Sequence, residues 1–139
     1  MGYREKSAWV MGAVMIAAGL YYLHLAVATS AQGTSAAAPL AIVIPFTLLL
    51  VVASVVGQAT MAILTPRDAA AAADERERPL LDRAGNWSGF VLGAGAVTSI
   101  LFFAWQRDGA LLFHMIMGSL IVSQIAEYAF QITLLRRSY

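Results

Sequence analysis

The chain has 139 residues, of which 60% are hydrophobic and 12% charged, with a net charge of +1 and no cysteine. Soluble domains run at roughly 45–50% apolar and about 25% charged, and a chain this short has too little interior to hide the excess from water, so the composition reads as an integral membrane protein. The missing cysteine excludes disulfides, thiolate nucleophiles and cysteine-ligated metals or clusters, and the small net charge excludes the electrostatic field that direct nucleic-acid binding needs.

Four apolar stretches, 7–28, 39–65, 87–106 and 109–135, are each long enough to supply the roughly 20 helical residues that a hydrocarbon core of about 30 Å requires. None of them alternates with period two. The expected fold is therefore all-α: a single transmembrane domain, a four-helix bundle made of two hairpins. The first stretch admits a competing reading, because Met1–Lys6 resembles a signal-peptide n-region and Ala26-Val27-Ala28 a cleavage site. Its length, and Tyr21, Tyr22 and His24 within it, favour a retained helix.

The second stretch carries Pro45 near its start, where a proline costs few hydrogen bonds and predicts at most a local bend. Between the second and third stretches the segment 66–86 is too short for a core of its own. Ala69–Ala73 followed by Asp74-Glu75-Arg76-Glu77-Arg78 suits a short surface helix that Pro79 ends. Two readings stay open for it: a solvated connector, or a docking surface for a cytoplasmic partner using Arg67, Asp74, Glu75, Arg76, Glu77, Arg78 and Arg83.

The third stretch opens with Gly85, Gly89 and Gly93, a small-residue ladder that lets another backbone approach closely. Packing within the chain is the expected use, with contact between chains as the alternative. Gly12, Gly19, Gly57 and Gly118 are expected to serve close packing too, and the methionines to fill the core.

The fourth stretch contains Glu127, the one acidic residue inside these four stretches. Intramembrane carboxyls cost a few kcal/mol and turn toward the bundle interior. Gln124, Tyr128 and Gln131 share its helix face, while Gln58 and Ser54 of the second stretch fall at similar depth. The cluster reads as an interhelical hydrogen-bond lock or as a proton-relay or cation site. His24 and His114 lie near the outer helix ends. Two imidazoles fall short of the four ligands of a closed zinc site, so they read as interfacial residues bonded to backbone or water, and no metal or cofactor is expected.

Eight of the nine basic residues flank the same ends of the four stretches, with only Arg107 opposite. The positive-inside rule then places both termini in the cytoplasm, with Trp9 and Trp87 at that interface and Trp105 at the other. Gln58 precedes Arg67, and Glu127 precedes Arg136, by nine residues each. That parallel suggests a duplicated hairpin. There is no nucleophile elbow, zinc-protease motif or phosphate loop.

The segments Glu5-Lys6-Ser7-Ala8-Trp9-Val10, Asp74-Glu75-Arg76-Glu77-Arg78 and Gly85 through Gly95 resemble small bacterial membrane proteins of the DUF2178 type. The resemblance implies four helices, no established activity and partnership with a cytoplasmic helix-turn-helix regulator. The expected function is accordingly a non-enzymatic protein of the bacterial inner membrane that acts by binding, anchoring or sensing for such a regulator. The alternatives are a small dimeric transporter or channel using Glu127, and an accessory subunit of a larger respiratory or photosynthetic membrane complex.

Overall fold

The computed structural model describes residues 3–31, 38–64, 66 and 75–137. Among the described residues, four helices are long and apolar enough to cross a membrane: α1 (Tyr3–Ala31), α2 (Ala38–Leu64), α3 (Arg78–Gln106) and α4 (Gly109–Arg137). This is the architecture of a multi-pass membrane protein. α2 runs unbroken through Pro45.

The third helix begins at Arg78, well before the expected start at 87, which shortens the expected 66–86 loop. Glu77 is its N-cap, and the Glu77 carbonyl accepts hydrogen bonds from the Leu80 and Leu81 amides at 3.1 and 3.0 Å. Pro79 sits in the first turn. There its missing N–H is no loss and its fixed φ is already helical, so it starts the membrane helix and does not end a surface one. The alanine run 69–73 expected to form that surface helix lies outside the described residues.

α3 and α4 are joined by a tight turn. Arg107 adopts a left-handed conformation at φ 58°, and its N–H donates to the Phe103 carbonyl at 2.8 Å. The Asp108 carboxylate then accepts the amides of Ala110 and Leu111 at 2.9 and 3.1 Å, capping α4.

The extensive interfaces run in series: α3 on α4, α4 on α1, and α1 on α2. α1 and α4 are thus the inner pair of the bundle, with α2 packed on α1 and α3 on α4. The buried face of α1 is a heptad stripe of Ala8, Met11, Met15, Ala18 and Tyr22. Ala18 and Tyr22 meet Ile42 and Phe46 of α2 and Ile121 of α4 in the apolar core. Outward faces, such as Leu48 and Val55 on α2 and Phe90 and Leu101 on α3, are exposed apolar surface suited to lipid.

The expected glycine ladder is not the seam. A Cβ built on Gly85, Gly89 or Gly93 meets nothing within 4 Å, and the same holds for Gly118. The buried stripe of α3 runs instead through Ala84, Ser88 and Ser99. It is offset from the ladder by one residue, about 100° around the helix. On that stripe Gly95 is the point of closest approach, where a Cβ would stand 2.6 Å from the Cβ of Ser119 on α4. Along α1 and α4 a Cβ added at Gly19 would stand 2.9 Å from the Ile121 side chain and one at Gly12 would stand 3.4 Å from Tyr128, while one at Gly57 would meet Val10 and Met11. The seam serines satisfy themselves: Ser88, Ser99, Ser119 and Ser123 donate to carbonyls three or four residues back on their own helices.

Gly95→Ala is therefore expected to destabilise the α3–α4 pair by about 1–3 kcal/mol through overpacking, while Gly93→Ala leaves stability unchanged or slightly raised. Reversible unfolding in mixed micelles measures both, and equal effects would contradict this placement of the seam.

Candidate functional site

Polar contacts concentrate at the end of the molecule where α1 begins and α4 finishes. Glu5, in the first turn of α1, is 4% exposed. The Arg136 Nε, in the last turn of α4, donates to its carboxylate at 2.7 Å. An acid at a helix start and a base at a helix end each complement the helix dipole, and the short contact is a charge-assisted bond. Arg136 also lies over the Trp9 ring, 5.6 Å from its centroid. One residue earlier in α1, Arg4 pairs with Glu77 at 3.3 Å, tying the start of α1 to the start of α3.

Inside this frame α1, α3 and α4 enclose a polar cleft of about 530 Å³. α1 contributes Tyr3, Arg4, Ser7 and Ala8. α3 contributes Leu81, Asp82 and Gly85. From α4 come Glu127, Tyr128 and Gln131. Gly85 has open space where a Cβ would be, so its lack of a side chain enlarges the cleft. The Gln131 amide donates to the Glu127 carboxylate at 3.2 Å, one turn along the same helix. The carboxyls of Glu127 and Asp82 thus share one wet space with hydroxyl and amide groups, and the one cation in the wall, Arg4, is engaged by Glu77. Such an arrangement favours a positively charged or hydrogen-bond-donating guest.

Of the polar cluster expected from the sequence, Glu127, Tyr128 and Gln131 come together. Gln124 is exposed on α4 and lines no part of the cleft. Gln58 is exposed on α2 and Ser54 half-buried there, and neither reaches the cleft, because α2 packs at this level on Val10 and Met11 of α1. The expected lock between Glu127 and Gln58 or Tyr128 is replaced by the bond to Gln131. Tyr3, Arg4, Glu5 and Asp82 were not singled out by the sequence, since they lie outside stretches bounded by hydropathy, nor was Ser7, which opens the first stretch. The available signal was the buried face of α1: Glu5 lies one turn, three residues, before the buried Ala8, although the heptad register itself continues to Arg4.

The two histidines do not meet as a pair. His24 is exposed, and His114 Nδ1 lies 2.7 Å from the hydroxyl of Tyr22, a hydrogen bond between α1 and α4. Phe46 packs edge-on against the same tyrosine at 5.3 Å. Where the sequence suggested backbone or water as partner, a buried phenol holds His114. Among the described residues no three His, Asp or Glu side chains converge as a metal site would require.

The expected docking residues divide. Arg67 and Asp74 lie outside the described residues. Glu75, Arg76, Arg78 and Arg83 are exposed, Arg83 over the ring of Trp87 at 5.4 Å, while Glu77 is held by Arg4. Trp9 and Trp87 accordingly sit at the same end under a guanidinium each, and Trp105 is exposed at the far end of α3.

A double-mutant cycle with Glu5→Gln and Arg136→Gln is expected to give a coupling of about 1–3 kcal/mol. Arg136→Gln should be the more damaging single change, because it leaves a buried carboxylate without its cation. Additive effects would mean that the pair does not hold the helix ends together.

Compared with protein-family models, with curated proteins and with solved structures, the chain has no match.

Proposed function

We propose that this chain is a non-enzymatic protein of the bacterial inner membrane, with both termini cytoplasmic, that binds a small organic cation and signals its occupancy to a cytoplasmic regulator. The observation that carries this reading is the cleft itself. Its 530 Å³ falls within the usual range of about 300–1,000 Å³ for small-molecule sites. Two carboxyls face it against a single cation already paired. Its walls come from three helices, so a guest touches all three at once.

Binding is favoured over through-passage because the α1–α4 interior next to the cleft is lined by Met11, Met15, Ala18 and Ile121, and the buried serines spend their hydroxyls on their own helices. A conducting pathway needs polar groups along its length. The route to a regulator is equally short. Arg4 stands in the cleft wall and holds Glu77, the residue that caps α3 and ends the connection from α2. A cation in the cleft repels Arg4 and so changes the anchoring of that connection, whose exposed Glu75, Arg76 and Arg78 offer a mixed-charge face.

The first test is thermal stability of the detergent-purified protein in tetraethylammonium chloride against sodium chloride at equal ionic strength. Near-saturating probe should stabilise the protein by about 2–3 kcal/mol, and Glu127→Gln or Gly85→Leu should remove most of that gain. No shift, or a shift unchanged in both variants, would remove the cation site.

The second test addresses the partner. Reversing charge with Arg76→Glu and Arg78→Glu should abolish co-purification of a soluble regulator from the native host while membrane insertion stays intact. Persistent recovery would exclude this face as the contact.

A further inference from the structure

A second concavity lies on the other flank of the α1–α4 seam, and its chemistry differs from that of the polar cleft. It has a volume of about 420 Å³. Its floor and walls are apolar, from Gly12, Ala13 and Ile16 on α1 to Ile125, Ala129 and Ile132 on α4. The α1 residues that line it lie roughly half a turn from those lining the cleft. Only Tyr128 belongs to both walls.

The groove runs from Ile125 to Arg136, about 16 Å at 1.5 Å per residue. That is close to the depth of a single leaflet, about 15 Å of hydrocarbon. It is closed by polar chemistry at one end only. Arg136 and Trp9 form that mouth, with the guanidinium over the indole and its Nε on Glu5. The Arg136 side chain nevertheless remains 55% exposed. Lys6, one turn before Trp9 along α1, and Arg137, next to Arg136 in the chain, are both exposed. This end of the molecule therefore presents Lys6, Arg136 and Arg137, while the carboxylate that pairs with Arg136, Glu5, is turned inward and buried. A surplus of positive charge at the top of a leaflet-deep apolar slot complements one kind of molecule: an acyl chain below and an anionic headgroup above.

We propose that the α1–α4 groove is a site for one anionic phospholipid, with an acyl chain against Ala13 and Ala129 and its phosphate at the Arg136–Trp9 mouth. Glu5 acts as a positioning residue, fixing the guanidinium from behind so that its outer face meets the headgroup. Zwitterionic lipids of the same chain length fit the slot, but their choline cation offsets the attraction of the phosphate to the basic mouth. The site is separate from the polar cleft and does not depend on a cation binding there.

Native mass spectrometry of the purified protein, exchanged into mixed micelles holding equimolar phosphatidylglycerol and phosphatidylcholine with identical chains, tests the proposal. One phosphatidylglycerol adduct is expected at about fivefold or more over phosphatidylcholine, the ratio that about 1 kcal/mol from a single basic residue provides. Lys6→Gln with Arg137→Gln, which leaves the Glu5–Arg136 pair intact, should lower the ratio to what Arg136 alone supports while the phosphatidylcholine adduct persists. Ala13→Phe with Ala129→Phe, at two exposed positions, should remove both adducts by filling the slot. Equal adducts in the parent protein would overturn the proposal. So would a preference that both double variants leave unchanged, or a second copy of the chain occupying the groove in place of lipid.

Discussion

The seam between α1 and α4 carries the structure, because each of the other helices packs extensively on only one member of this pair. In a medium with no water, a helix pair is held by close packing and by the few polar bonds that span it. This seam has both kinds of contact. Gly12 and Gly19 bring the backbones together along its length, and a polar bond spans each end: Glu5 to Arg136 at one, Tyr22 to His114 at the other. Two contacts separated along the helix axis resist rotation and sliding in a way that a single one cannot.

The α3–α4 pair solves the same problem differently. Its buried serines spend their hydroxyls on their own helices, so cohesion there rests on shape, with Gly95 admitting Ser119. Shape alone leaves the terminal end of α3 free to stand away from α1, and the polar cleft opens in the gap. The Arg4–Glu77 contact bridges that gap at its rim. The cleft is thus a consequence of which seam is tied by hydrogen bonds and which by packing.

Much of this was legible in the sequence. Hydropathy located four helices, and the depth of Glu127 marked the level of the cleft. Helix starts were less visible, since Pro79 reads as a terminator until its place in a first turn is known. The glycine ladder misled because three regularly spaced glycines look like a seam, whereas contact depends on a phase that one residue shifts by about 100°. Gly95 lies on the packed stripe without any such pattern. Equivalent depth proved a weak guide to partnership: Gln58 sits at a level comparable to Glu127 but on a helix that packs against α1. Glu5 was overlooked because a charged residue ahead of an apolar stretch reads as solvent-facing, and only its place one turn before the buried Ala8 puts it on the inward face.

Tyr128 is the one side chain shared by the polar cleft and the apolar groove. A single ring in two walls makes the occupancies of the two spaces thermodynamically linked whenever a guest displaces it. Such linkage is reciprocal: if lipid in the groove changes the affinity of the cleft by some factor, a guest in the cleft changes lipid affinity by that same factor. If both proposed sites are filled, the composition of the surrounding bilayer enters the cleft's affinity as an effector.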